Sequence, residues 1–410
     1  MLKGARIILV LIVIFGVAAT LQAQCPGYRP PPNNTNLACE IATASRSTSS
    51  DATTLSSISA TLATQLSQLP IAAAAAGTGI TIGATGLPTV STDSLGTILT
   101  QRGRTIGRHQ LLLSFNFQRF GFESVDGISL HSLPVVVQYF PPPGSNNVFL
   151  QDTSNISFRV DQYTAMATFG LTRRVDVSVI VPFSKVYLAT TTRAVLHSFA
   201  VSGGVPSSPS STPVVPDPLY LPGTAGGIGD IRVAVKANIL GAEGKTSMAV
   251  GGEVRFPSGD AVNYLGTGAY GIKPYLVISR RGRLTPNVNI GYQWNGSSIL
   301  NFNDNLPASF LYSGGVDFRV NRQFTLTGEF LGQYVIDAPR LTLQTISIPL
   351  IGNRTTVKAF KGSYAMDNAG FGFKVTPFKN LVFSASALIK LDDAGLRSKV
   401  VPLFGAAYRF

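Results

Sequence analysis

From Arg108 onward, apolar and polar residues alternate along the chain with a period of two. Leu111, Leu113, Phe115 and Phe117 alternate with Leu112, Ser114, Asn116 and Gln118. Ile231, Val233, Val235, Ala237 and Ile239 do so with Asp230, Arg232, Ala234, Lys236 and Asn238, and Val288, Ile290, Tyr292 and Trp294 with Asn287, Asn289, Gly291 and Gln293. Phe324, Leu326, Phe330, Tyr334 and Ile336 share one face, and Thr325, Thr327, Glu329 and Gln333 the other. This register places each set on its own face of a strand, whereas a helical period of 3.6 would mix them. About twelve strands are expected on this pattern, near 109–121, 154–170, 174–189, 228–240, 246–257, 269–280, 285–296, 308–320, 323–338, 360–376, 379–391 and 398–410.

The connections alternate in length. Short ones fall at Thr172-Arg173, Gly241 to Lys245, Arg281 to Arg283, Asn321-Arg322 and Pro377-Phe378, and long ones at about 122–153, 190–227, 258–268, 297–307 and 339–359. Short turns at one end and long loops at the other describe an up-and-down transmembrane barrel. A large soluble β-sandwich has no reason to alternate in this way. Both termini then lie on the short-turn, periplasmic side. Tyr187, Phe256, Trp294, Phe310, Tyr312 and Tyr334 are expected near the outer ends of the strands, and Phe169, Phe318, Phe324, Phe373, Phe383 and Tyr408 near the inner ends. Two aromatic levels match the interfacial girdles of such barrels.

Residues 1–23 read as a bacterial export signal, with Lys3 and Arg6 before an apolar run from Ile7 to Ala19 and a cut after Ala23. The run is shorter than the ~20 residues of a spanning helix. Residues 24–107 form a Ser/Thr/Ala-rich extension, expected on the periplasmic side between the signal that precedes it and the barrel that follows. It is expected to be partly helical or disordered. Leu55, Ile58, Leu62, Leu66 and Leu69 mark one helical stripe that Pro70 would end. Three readings stay open: a plug inside the barrel, a short coiled coil outside it, or a loosely ordered extension. Cys25 and Cys39 are expected to form a local disulfide worth ~3 kcal/mol. A lipid anchor on Cys25 is disfavoured because Gln22 and Gln24 stand where a lipobox needs Leu and a small residue.

Composition agrees with a barrel. The chain is 45% hydrophobic but only 13% charged, against the ~25% charged residues of a soluble domain. Its formal charge of +13 falls to +11 once Lys3 and Arg6 are removed. The basic residues are dispersed and many sit at turns, such as Arg280, Arg281 and Arg283, which suits outer-membrane lipid headgroups and not nucleic acid. On the polar strand faces, Asp176, Asp230, Arg232, Lys236, Glu253, Arg255, Lys273, Asp317, Arg319, Glu329, Lys374 and Lys390 are expected to line the lumen. Their mixed signs imply internal salt bridges and at most a weak anion preference; the plainer reading is that they fill a narrow lumen.

Catalytic chemistry has little to stand on. The three histidines, His109, His131 and His197, have no local carboxylate or hydroxyl partner that a base–nucleophile arrangement requires. Two cysteines and scattered histidines make no metal-ligand spacing, and no cofactor is implied. Gly226-Gly227-Ile228-Gly229 precedes a strand and not a helix, so it lacks the setting of a phosphate loop.

Several short motifs resemble a known group. Leu171-Thr172-Arg173-Arg174-Val175-Asp176 leads to Val181-Pro182-Phe183, and Gly227-Ile228-Gly229-Asp230-Ile231 opens a strand. Pro257-Ser258-Gly259-Asp260 is followed by Leu265-Gly266-Thr267-Gly268, and the chain ends Tyr408-Arg409-Phe410, similar to the signal read by the barrel-assembly machinery. Over 108–410 these features resemble the outer-membrane family named for the MetA pathway of phenol degradation, whose members are described as transporters. The resemblance implies a barrel that passes small, hydrophobic or aromatic molecules and carries over no binding residue. The leading expectation is a passive outer-membrane channel. The alternative is a structural or surface-adhesion barrel with a closed lumen, acting through its loops at 122–153 and 190–227. A barrel enzyme would need His131 and His197 to join a constellation at the outer rim.

Overall fold

Alternating β-branched, aromatic and polar residues give twelve long strands, each hydrogen-bonded antiparallel to the next. They are β1 (Leu111–Val125), β2 (Asn147–Gly170), β3 (Val175–Ser202), β4 (Arg232–Leu240), β5 (Thr246–Arg255), β6 (Gly271–Arg280), β7 (Leu284–Asn295), β8 (Ser309–Arg319), β9 (Phe324–Ile348), β10 (Gly352–Phe378), β11 (Leu381–Lys390) and β12 (Val400–Arg409). β12 returns to pair with β1 from Leu403↔Gln118 to Arg409↔Leu112, and the ring of 12 closes. Closure leaves no row of unpaired backbone groups facing lipid. The computed structural model describes residues 98–410 apart from breaks at 140–146, 203–204, 216, 242–244, 302–303 and 379, and isolated pieces at 37, 61–62, 64–66, 80–82 and 88–90. Residues 1–23, expected to be an export signal, and Cys25 and Cys39, expected to form a disulfide, lie outside the described residues.

Strand length differs sharply around the ring. β4, β5, β6 and β7 have 9, 10, 10 and 12 residues, close to the ~9–11 that cross a bilayer at a tilt. β2, β3, β9 and β10 have 24, 28, 25 and 27 and rise far beyond it. The loops expected at 122–153, 190–227 and 339–359 are therefore largely strand. Further strands extend the wall of β2 and β3: Leu133–Tyr139 pairs with β2, and Val205–Pro213 and Leu219–Ile228 pair with β3. The short turns at Thr172-Arg173, Arg281 to Arg283 and Asn321-Arg322 fall where expected, whereas Pro377-Phe378 belongs to β10 and β11 begins at Leu381.

A change of pattern gives the tall walls the look of loops in the sequence. Along the lower part of β2, Tyr163 and Phe169 face out, while Gln162, Thr164 and Thr168 are buried inside. Beyond Asp161 the faces exchange. Val160, Phe158 and Ile156 are buried inside, and Ser157 and Asn155 are exposed outside. β1 makes the same exchange between Gln118 and Phe120, and β3 between Ser184 and Val186. The lower wall meets lipid and encloses a polar lumen; the upper wall meets water and encloses an apolar one. The outward apolar side chains of the lower wall include Leu113, Phe115, Val179, Phe183, Val288, Phe330, Phe373, Phe383 and Tyr408, all more than a third exposed. A band of that kind is stable only against hydrocarbon, so the lower wall spans a membrane.

Candidate functional site: a stoppered lumen

In the short-turn half the lumen is crossed by residues 98–106, a stretch without regular structure. Its backbone N–H and C=O groups cannot stay unpaired inside a barrel, and the wall supplies their partners. Glu329 on β9 is almost fully buried, and its Oε1 accepts from the N–H of Leu99 and of Thr100, both at 2.8 Å, and from the Thr100 hydroxyl at 3.1 Å. Asp317 on β8 pairs with Arg102 at 2.6 Å. The Gly103 N–H donates to Ser279 Oγ on β6 at 3.0 Å, and Asn238 Nδ2 on β4 donates to the Gly103 carbonyl at 2.7 Å. Lys236 Nζ donates to the carbonyls of Arg104 and Arg102 at 2.9 and 3.3 Å and lies 3.6 Å from Asp176. Asp176 on β3 accepts from the Ile106 N–H at 3.1 and 3.2 Å, and Arg409 Nη2 on β12 donates to the Ile106 carbonyl at 2.6 Å. Wall carboxylates thus meet N–H groups and wall cations meet carbonyls. Glycine is required at 103, where a Cβ would lie 2.8 Å from the Ser247 carbonyl oxygen.

The tall half is packed with apolar side chains. Phe120, Ile156, Leu188, Leu130, Leu133 and Leu403 are among its most deeply buried members. Pieces of the extension join them: Ile98, Leu99, Leu37 and Leu62 belong to the same cluster, and Leu66 packs against it. Residues 61–62 and 64–66 are helical, and Gln65 Nε2 reaches Asp126 Oδ2 at 3.4 Å. Leu62 and Leu66 are members of the expected leucine stripe; Leu55, Ile58 and Leu69 lie outside the described residues.

Between these two regions lies a cavity of about 200 Å³. Its two walls differ. β1, β11 and β12 contribute Phe120, Phe122, Leu388 and Val401, with Arg397 and Ser398 beside β1, while β4, β5, β6 and β7 contribute Arg232, Glu253, Lys273, Tyr275, Asn289 and Gln293. Glu253 is shared by Lys273 at 2.9 Å and Arg232 at 3.4 Å, so the trio carries a single net positive charge. The tilted wall of β4 has its own reinforcement. The β4–β5 ladder ends at Arg232↔Arg255, and above it the edge of Leu219–Ile228 that faces away from β3 is met by the loop after β5. Leu265 of that loop packs against Gly227 and Gly229. Asp230 ties the loop down, accepting from the Thr267 hydroxyl at 2.6 Å, the Thr267 N–H at 2.8 Å and the Gly259 N–H at 3.1 Å, with Arg255 3.8 Å away.

The charged residues expected on the lumen face thus separate by role. Asp176, Lys236, Asp317 and Glu329 hold the segment 98–106, with Lys374 buried beside Glu329. Arg232, Glu253 and Lys273 border the cavity, and Asp230 and Arg255 fix the loop at 258–268. Arg319 is half-buried at the short-turn end, and Lys390 pairs with Asp393 at 2.5 Å near the other. Sequence reasoning missed Asn238, Ser279 and Arg409 as partners of 98–106, although each occupies an inward position of its strand's alternation. His131 contacts Asn155 at 3.2 Å, and His197 contacts Ser211 at 2.8 Å and Gln151 at 3.1 Å. Among the described residues no group of three or more His, Cys, Asp or Glu could hold a metal ion.

The sequence matches no protein-family profile and no curated protein, so the resemblance to the phenol-degradation family stands on its motifs alone. Solved outer-membrane proteins are similar at a distance. An outer membrane channel from Pseudomonas putida F1 is 9% identical over 77% of this chain and 100% of its own, with a TM-score of 0.44. The NanC porin is 9% identical over 72% of this chain and 98% of its own, with a TM-score of 0.37. The P. putida toluene transporter TodX is 9% identical over 74% and 90%, with a TM-score of 0.32. At that distance none of them identifies the cargo of this chain.

Proposed function

We propose that this chain is a passive outer-membrane channel for small hydrophobic or aromatic molecules, with its short-turn end in the periplasm. The observation that carries the reading is the cavity, where the aromatic and aliphatic side chains of β1, β11 and β12, with Arg397 and Ser398 at their edge, face a hydrogen-bonding wall from β4 to β7. A small ring or chain with one polar edge fits both walls at once, since binding sites are mostly apolar with a few placed polar groups. The apolar tall half lies on one side of it and the polar, stoppered half on the other. Cargo therefore enters through apolar surroundings and leaves once 98–106 shifts. The family motifs at 171–183 and 227–268 support the same class of cargo.

Uptake of radiolabelled toluene by cells carrying the full chain tests this, against a Leu331→Arg variant that places a charge at the cavity. Leu331 borders the cavity from β9. Uptake should fall to the level of cells without the protein, and equal uptake by a folded variant would refute the cavity route. A second reading is favoured by the tall walls, whose tops pack together through Phe149, Phe199 and Ile348. In it the walls are a binding surface and the lumen stays shut; toluene uptake would then be indifferent to the variant.

A further inference from the structure

The outer surface of β1, β2 and β3 carries a charged row at the level where the inside-out pattern exchanges. Arg119, Asp161 and Lys185 stand directly opposite one another across the three strands. One row farther out, Arg159 stands opposite Tyr187. Asp161 is engaged by Arg119 through two bonds, at 2.7 and 3.1 Å, and its side chain is only 6% exposed. Arg159 lies 3.7 Å from the same carboxylate and is 43% exposed. Arg159 and Lys185 both rest on the Tyr187 ring, at 4.0 and 5.0 Å from its centre. Three cations thus surround one carboxylate that is already taken by Arg119, leaving a net charge of two.

What lies beneath this row is apolar. Phe117, Tyr163 and Phe183 form the next row toward the short-turn end, then Phe115, Ala165 and Val181, then Leu113, Ala167 and Val179. On the opposite wall the corresponding level is the row Tyr292, Phe310 and Tyr334, which is aromatic and uncharged. Unlike that wall, this sector carries its cations at the membrane boundary, directly above an apolar surface. Free anions in water would have no use for that surface, and a lipid has use for both parts.

We propose that this sector is a binding site for a phosphate-bearing lipid of the outer leaflet. Its phosphate sits on Arg159 and Lys185, and its acyl chains lie along the rows below. The site rests on the outer-membrane placement but is independent of the lumen. Its occupant supplies the counter-charge that the wall lacks, at the boundary where each Lys or Arg near an anionic surface contributes about 1 kcal/mol.

The test is native mass spectrometry of the refolded full chain titrated with diphosphoryl lipid A, with dephosphorylated lipid A and with inorganic phosphate. A double variant, Arg159→Ala with Lys185→Ala, keeps the Arg119–Asp161 pair and should bind diphosphoryl lipid A roughly thirtyfold more weakly, two cations at the stated scale converted at about 1.4 kcal/mol per tenfold. An exchange variant, Arg159→Lys with Lys185→Arg, should retain binding. Dephosphorylated lipid A should bind the unaltered chain no better than it binds the double variant. Equal binding of diphosphoryl lipid A to both folded chains would overturn the proposal. So would inorganic phosphate that binds as tightly as the lipid, which would make this an anion site only. Channel conductance reads the lumen and stays unchanged in these variants, so failure of the lipid site and failure of the channel reading are separable.

Discussion

Glu329 is the side chain on which the hold on 98–106 depends most visibly, because one carboxylate oxygen accepts from Leu99 N–H, Thr100 N–H and the Thr100 hydroxyl. Glu329→Gln keeps the shape and one acceptor oxygen but removes the charge. Hydrogen bonds to a charged group contribute about 1.5–3 kcal/mol each, and neutral ones about 0.5–1.5. Weakening the two backbone bonds by about 1 kcal/mol apiece lowers the local opening free energy by roughly 2 kcal/mol, or about thirtyfold in the opening equilibrium. Lys374, an electrostatic neighbour of Glu329, loses a counter-charge at the same time and adds to the effect. Hydrogen–deuterium exchange read on peptides covering 98–106 measures this directly, since amides in a locally opening segment exchange at a rate set by that equilibrium. Exchange in this segment should accelerate about thirtyfold while peptides from β5, β6 and β7 stay protected. Unchanged exchange in a folded variant would show that the wall does not hold the segment, and the account of the stopper would fail.

Other outcomes follow from single contacts. Phe120→Ala empties a site only 1% exposed in the tall half and should cost about 3–5 kcal/mol, read as a lower unfolding temperature of the heat-shifted gel band. Thr267→Val removes the hydroxyl bond to Asp230 while keeping the backbone N–H bond, and should raise proteolytic nicking at 258–268 without unfolding the barrel. His197, beyond the membrane level, is held below its ordinary titration range by burial first and by Arg354 second. Its folded-state affinity for a proton is below the unfolded one, so its contribution is full above about pH 6.5 and is lost as pH falls; exchange in 147–155 and 195–213 should quicken below that pH in the unaltered chain and not in His197→Gln. Deleting Phe410, whose ring meets Tyr408 at 4.6 Å, should slow insertion by the assembly machinery in cells more than it lowers stability in vitro.

The lower barrel was legible because lipid outside and water inside impose one alternation on every strand. Val233, Val235 and Ala237 out, with Arg232, Lys236 and Asn238 on the polar side, give β4 without any knowledge of its neighbours. The tall walls were not legible by the same rule. Ile156, Phe158 and Val160 lie on the inside in β2, and the outward Asn155 and Ser157 look like loop residues when a lipid-facing set is expected. β-branched runs such as Thr190 to Thr192 were the available signal for their continuation as strand. At the site, an inward Glu or Asp could be read from parity alone, but its partner could not. Nothing in the period of residues 98–106 tells that Arg102 meets Asp317 or that Gly103 threads between Ser279 and Asn238. Those pairings bring together residues 135 to 215 positions apart, and only the closed ring sets them.

Single-channel conductance of the refolded full chain in a planar bilayer, beside the same chain lacking residues 24–107, tests the central claim most directly. The account predicts rare, small steps from the full chain and frequent, larger ones from the shortened chain, because the segment that fills the polar half is gone. Silence from both, with folding confirmed by a heat-shifted gel band, would contradict a channel and leave the tall walls as the working surface of the protein.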